Sequence, residues 1–214
     1  MDIKLIIWDW NGTLLNDVEF CVETINKVLT QHNLKNIAPE YYREIFTFPV
    51  KDYYQKLGFD FEKNPFSVVG KEFIDEYNLG INSCNLYENA VSVLSEIKRI
   101  KIPQVIISAR EHSSLLQDIK DKQISEYFTS IIGISDIYAS SKLHLFKKVM
   151  SNYNFSAEEI LLIGDTTHDC EIARELNINF VHFSRGHQNK SHFGECDNLH
   201  VVDNLQEVLK LVTF

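Results

Sequence analysis

A short, mostly apolar run, Ile3 to Trp8, stops at Asp9 and is followed by Trp10-Asn11-Gly12-Thr13. Runs of this length and character read as strands buried on both faces, and the Asn-Gly pair reads as a turn. Asp9 is therefore expected at the carboxyl end of a first strand. The pattern returns twice in stronger form, at Gln104-Val105-Ile106-Ile107-Ser108 and at Ile160-Leu161-Leu162-Ile163-Gly164 followed by Asp165. Shorter runs lie at 130–134, 179–183 and 200–202. Helical periods separate them: Ala90 to Ile100, a stretch through Ile119, Ser141 to Tyr153, 168–176 and 204–212. Strands alternating with amphipathic helices predict an α/β core, a parallel sheet covered on both faces in a Rossmann-like arrangement. Ligands in such sheets bind beyond the carboxyl ends of the strands, where Asp9, Ser108 and Asp165 are expected.

Residues 16–86 interrupt this alternation. Val18, Val22, Ile25, Val28 and Leu29 recur at a helical period. Further helical stretches run from Pro39 to Phe46, from Pro49 to Leu57 and from Phe66 to Tyr77. No strand is expected there. The chain thus divides into a core, 1–15 and 87–214, and an α-helical insert, 16–86. The segment Ser184 to Asn198 is the most polar, and His182, His187 and His192 are expected on its surface, with Arg185 and Gly186 bordering the mouth of the site.

The net charge of −9 argues against a nucleic-acid partner, which needs clustered Lys and Arg. Cys21, Cys84, Cys170 and Cys196 are scattered without a Cys-x-x-Cys pair, so reduced thiols in a cytoplasmic protein are expected. Asp9 falls too early for a signal-peptide core. No apolar run approaches the roughly 20 residues that span a bilayer, so no membrane partner is expected.

The residues with chemistry to offer fall in four places. Asp9 and Asn11 open the chain, and Ser108 ends a buried strand, with Ala109 and Arg110 after it; Arg110 is expected to face solvent. Lys142 starts a helix, with Lys147 and Lys148 as rivals further along it. Gly164-Asp165-Thr166-Thr167-His168-Asp169 then sets two carboxylates four residues apart where a strand meets a helix. Gly12 suits a tight turn that brings N–H groups close to an anion.

In this order the motifs resemble the haloacid dehalogenase-like hydrolases, whose first motif reads Asp-x-Asp-Gly-Thr and whose last reads Gly-Asp-x-x-x-Asp. The segment Phe46 to Tyr53 resembles the cap of phosphoglycolate phosphatase-like members. The resemblance implies a phosphatase acting on small phosphorylated metabolites through an aspartyl-phosphate. Asp9 would be the nucleophile, and Asp9, Asp165, Asp169 and the Asn11 carbonyl would hold Mg²⁺. Ser108 and Lys142 would hold the phosphoryl group, together with Gly12, Thr13 and Ala109. Residues 16–86 would form a cap, where Tyr41, Tyr42, Arg43 and Lys51 are candidates for the substrate's far end.

One position departs from the motif. Asn11 stands where relatives carry the acid–base Asp, and an amide neither protonates a leaving group nor activates water. Loss of such help costs about 10²–10⁴ in rate. Three readings are open: a leaving group that needs no proton, as in acyl or aryl phosphates; a neighbour such as His112, His168 or Asp17 that supplies the proton; or a weakened protein that binds a phosphorylated ligand or partner.

Overall fold

The computed structural model describes residues 2–134, 142–194 and 199–212. Ser141 and Cys196 lie outside them. The chain opens with β1 (Leu5–Trp8) and β2 (Leu15–Asn16), then runs through α1 (Val18–Gln31), α2 (Pro39–Ile45), α3 (Val50–Lys56) and α4 (Phe66–Gly80). It returns through β3 (Asn85–Leu86) to α5 (Ala90–Arg99), β4 (Gln104–Glu111), α6 (His112–Asp121) and β5 (Ser130–Ile134). After these come α7 (Leu143–Ser151), β6 (Ile160–Gly164), α8 (Thr167–Leu176), β7 (Asn179–Phe183) and β8 (His200–Val202). The expected last helix is a 3₁₀ turn, Leu205–Lys210, opened by Asn204, whose side chain accepts from the Gln206 N–H.

Six strands pair in the order β5-β4-β1-β6-β7-β8, all parallel. Alternation along the strands splits the core in two. Ile6, Trp8, Ile106, Leu161 and Ile163 face one layer of helices; Leu5, Ile7, Val105, Ile107, Ile160 and Leu162 face the other, with Phe146 of α7 and Ile172 of α8. Because both faces are covered, these strands read as continuous apolar runs. Fully burying each such side chain contributes about 1.5–3 kcal/mol. The one polar residue at the start of β4, Gln104, is satisfied: it accepts from the Trp8 indole (3.1 Å) and donates to the Leu94 carbonyl (2.9 Å).

The chain leaves β1 for β4 on one side and reaches β6 on the other. The carboxyl end of β1 is therefore the point where the strand order reverses, the place such sheets keep for ligands. Above it stands the four-helix segment, α1 packed on α4. Contrary to the expectation of no strand in or beside this segment, β2 and β3 pair antiparallel, Leu15 opposite Leu86 and Asn16 opposite Asn85. Two residues a side are too few to leave a period in the sequence. No described helix is long and apolar enough to cross a membrane.

Candidate active site

Asp9 follows β1, and its N–H donates to the Ile163 carbonyl of β6 (2.9 Å), tying the strand ends together. Asp165 follows β6, and Asp169 lies one turn into α8. The three carboxylates are buried, with one ligand oxygen from each within 4.8 Å of the others. Lys142, immediately before α7, reaches them: its Nζ lies 2.5 Å from Asp9 Oδ1 and 2.8 Å from Asp169 Oδ1. Asp169 Oδ2 also accepts from Thr166, from the hydroxyl at 2.7 Å and from the N–H at 3.2 Å. Asp165 accepts from the His187 N–H (2.6 Å) and the Thr13 hydroxyl (3.1 Å).

The electrostatics of this group are short of positive charge. Burial pushes the Asp9 carboxyl up, Lys142 opposes this, and the charges of Asp169 and Asp165 add to the rise. Asp165 is likewise pushed up by burial and by Asp169. Asp169 goes the other way because the Lys142 charge and hydrogen bond outweigh its burial. The Lys142 ammonium is held well above its usual range by Asp169 and Asp9 despite its own burial. One ammonium does not balance three carboxylates. An all-carboxylate oxygen set with a charge deficit is what a hard divalent cation requires, so the residues present fit such an ion.

A fourth buried carboxylate sits beside them. Asp17 accepts from the Gly12 N–H (2.8 Å), the Asn11 amide (2.9 Å) and the Tyr77 hydroxyl (2.6 Å). The His187 imidazole stands 3.4 Å from it, its other nitrogen 2.8 Å from the Tyr42 hydroxyl. Burial alone would raise the Asp17 pKa, but the His187 charge and these donors lower it to about 2. The same pairing overrides burial at His187 and raises its pKa to about 9. Asp17 is thus ionised and holds no proton to give.

These two groups place the remaining expected residues. Gly12, at φ +70°, gives its N–H to Asp17 (2.8 Å) and the Leu15 carbonyl (3.0 Å), and a Cβ there would collide with Asp165 and His187. Asn11 spends its amide protons on Asp17 and the Tyr77 oxygen (2.7 Å). Ser108 is buried and lines a cavity with Asp9, Lys142 and Ala109. Arg43 does not line it; its Nε donates to the Gly186 carbonyl (3.1 Å). Lys51 lines it, and His168 does too, its ring stacked on Phe48 at 5.1 Å. His112 is exposed and receives the Gly133 N–H, so it supplies no proton here.

Several expectations are corrected. His182 is buried because it lies in β7 between β6 and β8, and His187 is buried and His192 half-buried because the loop after β7 folds under α2. Gly186 permits that approach, since a Cβ on it would collide with Asp165. The Arg110 side chain does not face solvent: it is 9% exposed and grips Asp118 through two N–H groups (2.7 and 3.4 Å). Cys170 is disulfide-bonded, while Cys21 and Cys84 are free thiols. Spacing in sequence does not report which thiols the fold brings together. A glycine and a histidine a few residues past a buried strand, Gly186-His187, were the available signal for the missed imidazole.

The cavity has a volume of about 600 Å³ and lies between the carboxyl ends of β1, β4 and β6 and helices α3 and α4. Buried carboxylates fit for a cation, at the strand-order reversal of a parallel sheet and under a helical segment, define an α/β enzyme with its chemistry in that cavity. The chain belongs to the haloacid dehalogenase-like hydrolases, whose family model matches residues 6–183. It is 19% identical to a phosphoglycolate phosphatase of Vibrio parahaemolyticus, over 99% of this chain and 96% of that one. It is also 19% identical to the pyrophosphatase PpaX of Oceanobacillus iheyensis, over 99% and 98%. A haloacid dehalogenase-like hydrolase of Streptococcus pneumoniae shares the fold with a TM-score of 0.84 at 19% identity, covering 98% of each chain. A hydrolase of the same superfamily from Ehrlichia chaffeensis does so at 0.62 and 20%, covering 98% and 95%.

Proposed function

We propose that this hydrolase is a Mg²⁺-dependent phosphatase of small phosphomonoesters. The observation that carries the reading is the convergence of Asp9, Lys142 and Asp169, with Asp165, at one end of a cavity that Ser108 also lines. Asp9 is the nucleophile. Its carboxylate forms a bond to phosphorus while the ester P–O bond breaks, and the leaving oxygen departs with the electron pair. Water then attacks the same phosphorus, releasing phosphate and regenerating the carboxylate. Lys142 offsets the charge that builds on the nucleophile and the phosphoryl oxygens, and the Ser108 hydroxyl donates to one of those oxygens. Thr13 and the His187 N–H hold the Asp165 carboxylate in place. Asp9, Asp165, Asp169 and the Asn11 carbonyl would hold Mg²⁺, which neutralises the carboxylates and the incoming phosphate when bound. Helices α1 to α4, entered and left through β2 and β3, act as a cap that excludes water and selects the substrate.

The test is phosphate release from para-nitrophenyl phosphate, with and without Mg²⁺, by wild type and Asp9→Asn. The expected result is turnover that needs the metal and falls by at least 10³-fold in the variant, the scale of losing a covalent nucleophile. Turnover that persists in Asp9→Asn, or none in wild type with any divalent ion, would sink the phosphatase reading.

A further inference from the structure

Beyond the carboxylates the cavity wall is aromatic and aliphatic. Phe46, Phe48, Tyr53, Phe66 and Phe73 line it. Phe46, Phe48, Phe66 and Phe73 are only half-buried and line the cavity: Phe46, Phe66 and Phe73 pack against the core, and Phe48 rests on the Phe46 and His168 rings. The apolar wall begins at the reactive end, where Phe48 stacks on His168, one residue before Asp169. A volume of about 600 Å³ is that of a site for a drug-sized ligand and far exceeds what a phosphate alone fills.

The cations of the wall are mostly engaged among the described residues. Lys142 is held by Asp9 and Asp169. Arg110 gives two N–H groups to Asp118 and one to Asn78 (2.8 Å), with its plane 5.3 Å over the Tyr77 ring. Lys51 is exposed and rests 5.4 Å over the Phe61 ring. A substrate whose far end is a carboxylate or a second phosphate, as in phosphoglycolate or pyrophosphate, needs a cation with donors to spare, and Lys51 keeps its donors only at the exposed edge of the wall. An aromatic far end needs none, and stacks against rings already set 5.1–5.5 Å apart.

Asn11 points the same way by a separate argument. With its amide committed to Asp17 and Tyr77, Asn11 protonates no departing oxygen, and of the three neighbours named for that role only His168 lines the cavity with a proton to offer. An alkoxide, whose parent acidity is near that of water at about 15.7, leaves poorly without a proton. A phenoxide, with a parent pKa of about 10, leaves without one.

We propose that the cavity takes the phosphate ester of a planar, uncharged aromatic alcohol, an aryl phosphate, in preference to the doubly anionic substrates named for the relatives. That this ester is hydrolysed rests on the phosphatase reading; that it binds does not. The test separates the two. Asp9→Asn protein, unable to turn over, is titrated calorimetrically in Mg²⁺ with 1-naphthyl phosphate, phosphoglycolate, pyrophosphate and inorganic phosphate. The expected result is binding of naphthyl phosphate at least tenfold tighter than either doubly anionic compound, about 1.4 kcal/mol. Phe48→Ala and Phe73→Ala should each weaken naphthyl phosphate several-fold more than they weaken inorganic phosphate. Equal or tighter binding of phosphoglycolate or pyrophosphate, lost in Lys51→Ala, would overturn the proposal and make Lys51 the reader of a second anion. Preferential binding of naphthyl phosphate that wild type fails to hydrolyse would overturn the phosphatase reading and leave the ligand class standing.

Discussion

Two buried acidic groups lie side by side in this molecule and respond to burial in opposite ways. Asp17 is 1% exposed and Asp165 fully enclosed, yet the first is held strongly acidic and the second pushed up. The difference is in what faces them. Asp17 meets N–H and O–H donors from Gly12, Asn11 and Tyr77, and a charged imidazole from His187. Asp9, Asp165 and Asp169 meet one another across at most 4.8 Å; one ammonium serves Asp9 and Asp169, and Asp165 has only the neutral His187 N–H and Thr13 hydroxyl as donors. A buried carboxylate with its lone pairs answered is a structural anchor; three crowded together, of which Asp9 and Asp165 stay pushed up, are a site short of positive charge.

The largest effect should come from removing the anchor. Asp17→Ala leaves three donors and an imidazolium facing a void, which costs about 3–5 kcal/mol for breaking one side of a buried ionic network. In a chain of this size that lowers the melting temperature by roughly 6–20 °C. A fall of under 2 °C, read by calorimetry, would mean that His187 and Tyr77 find other partners and that the contrast drawn above is empty.

A smaller effect is expected from Asn11→Asp, which restores the family's usual residue. Its new carboxylate would take the place of an amide nitrogen now 2.9 Å from Asp17 Oδ2, turning an attraction into a repulsion. The variant should lose about 1–3 kcal/mol of stability, and Asp17→Asn in the same chain should return most of it. Urea unfolding of both singles and the double measures the coupling. Simple additivity would show that residues 11 and 17 do not depend on one another. This dependence also means that activity in Asn11→Asp alone is a poor gauge of what Asn11 does to catalysis.

The smallest effect tests the other group. Asp165→Asn in chelator removes a repulsive charge while keeping the shape, and should leave stability unchanged or raise it by up to about 1 kcal/mol. In millimolar Mg²⁺ the order should reverse, with wild type the more stable because the ion binds only its folded form. A variant less stable than wild type in chelator would place Asp165 with Asp17 as an anchor.

Much of the architecture was open to reading from residue pattern. The strands around Ile6, Val105 and Leu161 are covered on both faces, so their apolar runs are unbroken; the runs give way at Asp9, Ser108 and Asp165, although β4 continues past Ser108 to Glu111. Lys142 and Asp169 follow from the same logic, because the helices that carry them start at the same end of the sheet. What pattern does not encode is which polar groups answer one another across distant segments. In sequence Asp17 is a candidate proton donor; it stands at the N-cap of α1, yet its side chain makes no cap bond and turns to Gly12 and Tyr77 instead. His187 sits in a polar loop with no period, and its burial depends on Gly186 letting the backbone pass Asp165. Arg110 looked like surface because its partners, Asp118 and Asn78, come from helices on opposite sides of it in sequence.

The loop that carries His187 is also stitched to the helical segment. The Arg43 guanidinium donates to the Gly186 carbonyl, Gln188 donates to the Phe46 carbonyl (2.8 Å), the Asn189 N–H to the Arg43 carbonyl (3.4 Å), and Tyr42 meets the His187 ring. All of these join the stretch 42–46 to the stretch 186–189, far along the chain from β2 and β3. Any swing of α2 away from the sheet must undo them together, at about 0.5–1.5 kcal/mol each. If the segment opens during turnover, this seam is what sets the barrier, and Arg43→Ala or Gln188→Ala should then raise the rate of any step limited by that opening.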